Sequence, residues 1–177
     1  MKKIVIIDYD PEWPGYYERE KERLDSILKG MSYKIEHIGS TSVEGLGAKP
    51  IIDVLLGLGN FEQDKEELIE RMTAAGYHYR NDFEDVMPYR RYFNKPSEGK
   101  VTSYHIHSVQ TGEWFWNRHI AFRNYLRAHS NVRDEYCALK KELAKKDWGG
   151  DMGDYAYAKT DFIVPVQEKA MKEYGLL

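Results

Sequence analysis

Residues 35–56 read IEHIGSTSVEGLGAKPIIDVLL, and this segment says more about the fold than any other part of the chain. An apolar run ends at Ile38, a Gly-Ser-Thr-Ser sequence follows, and a second apolar run after Pro50 carries a lone Asp53. Small and hydroxyl-bearing residues between two apolar runs are typical of a turn followed by a helix start. The order therefore predicts a strand, a tight turn, a short helix and a second strand.

The turn itself suggests anion binding. Gly39, Ser40, Thr41 and Ser42 offer backbone N–H groups and hydroxyls, and glycine allows the backbone to approach an anion closely. Lys49 follows and could neutralise a phosphate. The GxxxxGK[ST] spacing of a Walker loop is missing. Because Ser and Thr are also common helix N-caps, a phosphate-binding role and a capping role both remain open.

Asp53 interrupts an otherwise apolar strand. A carboxylate in that position costs free energy unless it has a partner, which points to a metal, a base or a ligand. Strand alternation places Asp53 on the same face as Ile51 and Leu55. Two-metal phosphoryl transfer normally uses two or three clustered carboxylates, and position 55 is not one of them. A buried aspartate that caps a loop is the alternative.

A histidine pair follows later, in the segment YHIHSV. At a period of two, His105 and His107 point to one side of a strand. Two imidazoles on one face could bind a divalent metal, with Asp53 or Glu36 completing the ligand set. They could also bind a phosphate or act as a general base. A hydrogen-bonded pair at a sheet edge is the structural alternative.

Basic residues lie on both sides of the histidine pair. Arg90 and Arg91 lie on the preceding strand, and Arg118, Arg123 and Arg127 lie on the following helix, where the last two share a face. Each is either a solvated surface charge or part of a phosphate pocket. Among them, Arg91 is the one expected to join the lysine of the turn in balancing ligand charge.

Composition limits the possible classes of protein. The 177 residues fit a single domain, 1–177, with 42% hydrophobic and 31% charged residues. The net charge of −3 argues against a general nucleic-acid-coating role. The single cysteine, Cys137, fits a reducing compartment, and the apolar run Ile4–Ile7 is too short for a signal peptide or membrane span. We expect a cytoplasmic protein, and its oligomeric state stays open.

Periodicity predicts an early part of mixed strands and helices, about 1–112, and a helical part, about 113–177. Predicted strands cover 33–38, 50–58, 77–80, 89–94 and 102–110, the last two joined by the turn-rich KPSEGK. Predicted helices cover 16–28, 61–75, 114–129, 132–146 and 155–174, the last with a kink or break at Pro165. WGGDMGD, 148–154, is expected to be a flexible joint. The fold class is α/β (α+β), with a small sheet packed by helices.

The string IEHIGSTSVEGLGAKPIIDV closely resembles the signature of the GrpB family, in the nucleotidyltransferase superfamily. The opening YDPEWPGYYERE looks like the family's start, YHIHSV is similar to its HLHV motif, and FRNYLR resembles its helix sequence. The tail pattern around Tyr155, Lys159 and Phe162 also matches. Asn124 stands where the family often has Asp, which weakens any role for that position.

The resemblance implies a nucleotidyltransferase-type fold, with a small mixed sheet packed by helices and a helical C-terminal part. In that superfamily a Gly-Ser turn binds a nucleotide triphosphate, and an Asp-x-Asp strand holds magnesium. Gly39 and Ser40 match the turn, and Asp53 matches the first aspartate. Leu55 occupies the place of the second, which puts standard two-metal nucleotidyl transfer in doubt.

Together these features predict a protein that binds a nucleotide or another phosphorylated small molecule with a divalent metal, Mg²⁺ or Mn²⁺. The expected catalytic residues are Asp53, His105 and His107. The expected metal ligands are these three and Glu36. The expected phosphate-binding residues are Gly39, Ser40, Thr41, Ser42, Lys49 and Arg91. One alternative is a non-catalytic nucleotide-binding or regulatory module, and another is a metal hydrolase that uses the histidine pair.

Overall fold

The computed structural model describes residues 4–148 and 152–176. Within these ranges the chain forms six α-helices and five β-strands. The helices are α1 (Trp13–Ile27), α2 (Phe61–Ala74), α3 (Trp114–Ala128), α4 (Ser130–Ala144), α5 (Met152–Tyr157) and α6 (Thr160–Glu173). The strands are β1 (Tyr33–Ile38), β2 (Ile51–Leu58), β3 (His78–Tyr79), β4 (Arg90–Glu98) and β5 (Val101–Gln110).

The five strands form one mixed sheet in the order β1-β2-β5-β4-β3, which confirms the expected fold class. Strands β2 and β5 are parallel, and all other neighbours are antiparallel. Strand β2 is therefore paired on both edges, and a strand covered on both faces needs apolar residues at nearly every position. Asp53 is the charged exception, and it pairs with Ile38 of β1 and His105 of β5.

One face of the sheet forms the main apolar core. The even-numbered residues of β2 from Ile52 to Leu58 are fully buried there, packed against α1 and α2. Trp13 and Leu24 of α1 and Leu68 of α2 are fully buried in the same cluster. This face therefore carries most of the burial that stabilises the fold.

The opposite face of the sheet carries the polar residues. Because strand side chains alternate, Asp53 and Leu55 point away from the main core, together with their β5 partners His105 and His107. Toward one end of this face, Leu55 packs in a small apolar cluster that includes Phe115 of α3. The rest of the face is left for the C-terminal helices to border.

The C-terminal helices are anchored to the Gly-Ser segment. Val43 and Leu46, just after the turn, pack with Leu126 of α3 and Tyr136 of α4 in a separate apolar cluster. Helix α6 packs along α3 through small residues such as Ala121. These contacts place α3, α4 and α6 beside the polar face of the sheet. None of the described helices has the length and apolar character needed to cross a membrane.

Two local predictions differ from the structure. Strand β4 extends to Glu98, so the turn in KPSEGK shrinks to Gly99 and its neighbour, with Gly99 at φ 58°. The predicted helix 155–174 is interrupted at residues 158–159, between α5 and α6. Pro165, where the kink or break was predicted, lies inside α6. This proline is exposed, so water can satisfy the carbonyl that lacks its N–H partner. Residues 149–151 of the predicted joint 148–154 lie outside the described residues.

Candidate functional site

The Gly-Ser turn lies directly against Asp53. Gly39 has φ 70° and ψ −176°, a conformation that glycine adopts without strain. A Cβ atom at this position would overlap the Asp53 carboxylate. Two features therefore favour glycine at position 39: its positive φ and the close approach of the turn to the Asp53 side chain. The structure brings Gly39, Ser40 and Asp53 into one place.

Asp53 also contacts both histidines of β5. Its Oδ1 lies 3.5 Å from His105 Nδ1 and 3.8 Å from His107 Nε2, and the Asp53 side chain is 27% exposed. Burial raises the pKa of this carboxyl, but the hydrogen bonds and charge of the two imidazoles outweigh it and the pKa is lowered. Asp53 is thus an anion at neutral pH, held between two rings.

The tautomer of His107 follows from its other neighbour. Its Nδ1 lies 3.1 Å from Nη1 of Arg90, and a guanidinium can only donate. Nδ1 is therefore the acceptor, and in the neutral ring Nε2 carries the hydrogen that faces Asp53. Burial lowers the pKa of His107, which keeps the ring neutral at pH 7. His107 orients the carboxylate and has no lone pair directed at it.

Three lysines line the cleft beside this turn. Lys49 follows the turn, Lys140 lies on α4, and Lys159 lies between α5 and α6. Lys140 donates to Ser40 Oγ at 2.9 Å and to the carbonyl of Gly47 at 2.5 Å. We call this space the lysine cleft. It is bordered by the three lysines, the Gly39-Ser40 turn and Asp53, and its volume is about 430 Å³.

The lysines are cations without anionic partners in contact. Among the described residues, Lys49, Lys140 and Lys159 form no ion pair, and Lys49 and Lys159 both lie over the ring of Tyr155, at 5.3 and 4.8 Å. Burial, with a smaller contribution from neighbouring lysines, lowers the pKa of Lys140 to about 7 and that of Lys159 to about 8. Burial also lowers the pKa of Lys49. The cleft is therefore short of negative charge.

His119 of α3 borders the lysine cleft with a fixed tautomer. Its Nδ1 lies 2.7 Å from the carbonyl of Phe115, so Nδ1 must carry the hydrogen. Burial and the nearby Arg118 lower the pKa of His119 to about 3. The ring is consequently neutral, and its Nε2 lone pair can accept a hydrogen bond from a ligand.

Two hydroxyls of the turn are used inside the protein, contrary to the expectation that they bind phosphate. Thr41 Oγ1 donates to the carbonyl of Ile51 at 3.0 Å and receives a hydrogen bond from His37 Nε2 at 3.1 Å. Ser42 Oγ donates to the carbonyl of Gly39 at 2.6 Å, which closes the turn. Of the three hydroxyls, Ser40 alone contacts a cleft lysine, whereas Thr41 and Ser42 hold the turn together without capping the helical turn Ser40–Ser42.

Arg91 and Glu36 lie away from their expected places. Arg91 points to the apolar face of the sheet, where its guanidinium lies 5.4 Å from the Phe61 ring and 3.4 Å from Glu84. Side chains alternate along β4, so Arg90 points to the cleft side and Arg91 to the opposite side. Glu36 shares the face of Asp53 but binds Arg123 at 2.6 Å. The expected roles of Arg91 in charge balance and of Glu36 in metal binding are therefore not supported by their positions.

The arginines of α3 fasten the helix to the turn segment. Arg123 donates to the carbonyl of His37 at 2.9 Å as well as to Glu36. Arg127 donates to the carbonyl of Ser42 through two nitrogens, at 3.1 and 2.6 Å. These arginines are neither free surface charges nor ligands of the lysine cleft. They fix α3 against the chain on both sides of the turn.

The donor atoms do not fit a pair of divalent metal ions. Two-metal centres need clustered carboxylates, and Leu55, in place of the second aspartate, is completely buried in an apolar cluster. Across residues 4–148 and 152–176, no group of three or more His, Cys, Asp or Glu side chains is arranged to hold a metal. Asp53 remains as one carboxylate. A Mg²⁺ held by one carboxylate and ligand phosphates is a common arrangement, and the site fits that case.

Lys140 and Lys159 were missing from the predicted site, although the sequence contains a signal for one of them. Lys140 follows Tyr136 by four residues and precedes Leu143 by three, so it lies on the apolar face of α4. A lysine on such a face is unusual unless it has a function. Lys159 gives no such signal, because it lies at the break between α5 and α6.

The chain resembles known proteins along almost its whole length. The model of the family described as GrpB protein matches residues 3–169. The UPF0157 protein YqkA of Bacillus subtilis is 36% identical over 171 residues, which cover 97% of this chain and 48% of YqkA. The chain therefore spans about half the length of that relative.

Solved structures show the same fold. The crystal structure of the conserved protein GrpB from Enterococcus faecalis matches with a TM-score of 0.82 and 36% identity, covering 96% of this chain and 99% of that one. Cid1 in complex with the UTP analogue UMPNPP matches with a TM-score of 0.55 and 14% identity, covering 86% of this chain and 48% of that one. The second likeness shows the fold alone, which is nucleotidyltransferase-like. The family model and the similarity to the Enterococcus protein show that this chain belongs to the GrpB family.

Proposed function

We propose that the lysine cleft binds a phosphorylated small molecule, with a nucleotide as the first candidate. The observation that carries this proposal is the gathering of Lys49, Lys140 and Lys159 beside the Gly39-Ser40 turn, without an ion-pair partner among the described residues. The nucleotidyltransferase-like fold supports a nucleotide over other phosphates, since the neighbour Cid1 was solved with a UTP analogue.

The energetics favour a multiply charged ligand. Burial is the main cause of the lowered pKa values of Lys140 and Lys159, and repulsion from the neighbouring lysines lowers them further. A phosphate or diphosphate would remove this repulsion and form charge-assisted hydrogen bonds with the lysines. The single carboxylate that lines the cleft, Asp53, faces two imidazoles and is outnumbered by the three lysines, so it opposes such a ligand only weakly.

Asp53 supports a role for one divalent ion together with the ligand. Its carboxylate would hold Mg²⁺ or Mn²⁺ jointly with phosphate oxygens, and the ion would neutralise charge on the phosphates. In this arrangement His107 orients Asp53 through its Nε2–H, and Arg90 keeps that tautomer in place. A hydrolase with both histidines as metal ligands is disfavoured by the same tautomer.

A non-catalytic binding module is the second candidate. The completely buried Leu55 stands where a second metal-binding aspartate would be needed, and it packs with apolar neighbours. A single ion cannot activate the attacking and leaving oxygens as a pair does. A protein that retained phosphate binding but lost the transfer reaction would have both features, a lysine cleft and an apolar residue in place of the second aspartate.

Isothermal titration calorimetry with pyrophosphate, UTP and ATP tests binding, with and without Mg²⁺. In the variant Lys159→Met, the affinity should fall by at least about tenfold, since one charge-assisted contact to phosphate contributes ~1.5–3 kcal/mol. The matched control is Lys141→Met, a lysine one position from Lys140 whose partner is the exposed Asp8. Equal losses in both variants, or no binding of any phosphate, would contradict the proposal.

A turnover assay separates the two candidates. The protein is incubated with each of the four ribonucleoside triphosphates and Mg²⁺ or Mn²⁺, and pyrophosphate release is measured with hydroxyl-bearing acceptors. Release that disappears in Asp53→Asn supports a transferase. Binding in the calorimeter without release for any triphosphate supports the non-catalytic module.

A further inference from the structure

A second cavity adjoins the lysine cleft and ends at an arginine. Its volume is about 310 Å³, and it shares Gly39, Ser40, His119 and Tyr136 with the lysine cleft, so one ligand could occupy both. It is bordered by α3 on one side and α6 on the other. We call it the arginine cleft, after Arg118 of α3.

Arg118 is a half-buried cation without a partner. None of the hydrogen bonds or ion pairs formed among residues 4–148 and 152–176 involves its guanidinium, and its Nε is buried and unpaired. The side chain is held in place, because the guanidinium lies over Trp114 at 4.1 Å and over Phe115 at 4.7 Å. A half-buried guanidinium that is held in place but has no partner within the described residues can bind an anion from outside the chain.

The nearby arginine makes a useful contrast. Arg123, also in this cleft, donates through Nη1 to Glu36 and to the carbonyl of His37, and through Nε to Asn124. Arg118 lies near Arg90 and Tyr89, neither of which is an anion at neutral pH, and burial lowers the pKa of its guanidinium. Arg118 and Arg123 therefore differ in kind, since Arg123 completes the fold and Arg118 keeps its donors for a ligand.

Apart from Arg118, much of the wall of the arginine cleft is apolar. Phe122 and Leu126 of α3 face Ile163 and Val164 of α6 across the cavity. Such walls favour a hydrophobic segment of a ligand over a chain of charged groups. A ligand that occupies both clefts thus has one anionic group for the lysines, a second for Arg118, and an apolar part that contacts these walls.

We propose that Arg118 binds a second anionic group of the ligand, a carboxylate or a second phosphoryl group, whose first phosphoryl group lies in the lysine cleft. This inference rests on the proposed function and narrows the ligand to small phosphorylated acids. Guanidinium groups bind both kinds of anion in the same two-pronged geometry. His119 Nε2, which can only accept, would receive a hydrogen bond from a hydroxyl or N–H group along the way.

Calorimetry with a series of ω-phosphonoalkanoic acids of increasing chain length tests this subsite. Each acid is compared with its own primary amide, which keeps the phosphonate and the chain but lacks the second charge. At the chain length that spans the two clefts, the acid should bind at least about tenfold more tightly than the amide. α,ω-Bisphosphonates of the same lengths show whether a carboxylate or a second phosphoryl group is preferred.

The variant Arg118→Met keeps the stacked stem and removes the charge. It should bring the acid and the amide to within about twofold of each other while leaving the amide's affinity unchanged. The matched control is Arg19→Met, an exposed arginine over Tyr16 on the opposite side of the sheet. An unchanged preference in Arg118→Met, or no preference for the acid at any length, would overturn the subsite alone. Absence of binding by every phosphonate would overturn the lysine cleft as well.

Discussion

The two faces of the central sheet use the same strands for different purposes. In β2, Ile52, Val54 and Leu56 point into the apolar core, while Asp53 between them points to the lysine cleft. The apolar face is covered by α1 and α2, and the polar face is bordered by helices from the C-terminal part. Because alternation separates the two sets of side chains, stability and ligand binding can be changed nearly independently.

The two faces also differ in how far apart their contacts lie along the chain. The buried residues of the apolar face lie between Trp13 and Ile106, in the segments that supply the strands and the first two helices. The cleft joins residues that are distant in sequence, such as Ser40 and Lys140, which are 100 positions apart. The apolar face therefore depends on local pattern, whereas the cleft depends on how the C-terminal helices dock.

The largest expected effect is on the apolar face. Leu56→Ala removes a fully buried side chain from the main core and should reduce the free energy of unfolding by ~2–5 kcal/mol. Urea denaturation followed by circular dichroism measures this loss. The folded Leu56→Ala variant should bind pyrophosphate as the wild type does, because the side chain of residue 56 does not reach the lysine cleft. A weakened affinity at full folding would show that the two faces are coupled.

The next effect is at the contact between the turn and Asp53. Gly39→Ala forces a Cβ into the Asp53 carboxylate and should cost ~1–3 kcal/mol, together with most of the phosphate affinity. Gly76→Ala is the matched control, because Gly76 also has a positive φ, 87°, but no atom within 4 Å of the added Cβ. Calorimetry and thermal unfolding of both variants separate two effects: backbone strain, which both share, and overlap of the new Cβ with Asp53, which occurs only in Gly39→Ala. Equal behaviour of the two would contradict a close-packed turn.

Much of the sheet was predictable from the sequence because its signals are local. Strand β1 matches its predicted range, Tyr33–Ile38, and β2 begins one residue after the predicted start, since alternation and turn residues mark both. The common face of Asp53 and the histidine pair also follows from alternation once β2 and β5 are neighbours. The pairing of β2 with β5 comes from the structure, because sequence spacing does not reveal which strands are adjacent.

The rest of the site could not be derived in this way. Whether Thr41 serves a ligand or the fold depends on the carbonyl of Ile51 and on His37, which only the folded chain brings to it. The roles of Arg118 and Arg123 differ only because Arg118 contacts aromatic rings, whereas Arg123 contacts Glu36. Side chains of identical type are distinguished by tertiary contacts, and a single sequence does not contain those contacts.

The buried lysine gives a test based on pH. The pKa of Lys140 is lowered to about 7 in the folded chain, whereas in the unfolded chain it is near the ordinary value of 10.5. Between these values the unfolded state binds more protons, so this residue makes stability rise with pH, by at most ~1.4 kcal/mol per pH unit. Below pH 7 both states are protonated and the contribution is flat. Urea denaturation of wild type and Lys140→Met from pH 6 to 10 gives the difference.

The same lysine should act in the opposite sense on binding. A phosphate favours the charged ammonium, so pyrophosphate affinity should decrease as the pH rises above 7, and binding should take up protons. Titrations in buffers of different ionisation enthalpy measure this uptake. It should be reduced in Lys140→Met and unchanged in Lys141→Met, whose side chain is solvent-exposed. A pH-independent affinity in the wild type would place the phosphate elsewhere.

The smallest effect compares two adjacent arginines on opposite faces of β4. Arg91→Met loses its contacts with Glu84 and with the carbonyl of Pro88 and should reduce stability by ~1 kcal/mol, with unchanged phosphate affinity. Arg90→Met frees Nδ1 of His107, so the ring can change its tautomer and turn a lone pair toward Asp53. That change should weaken phosphate binding by a small factor, about two- to threefold, and ¹⁵N spectra of the imidazole should show the tautomer shift. If Arg91→Met weakened binding more than Arg90→Met, the assignment of the two faces would be wrong, because alternation allows only one of these neighbours to reach the cleft.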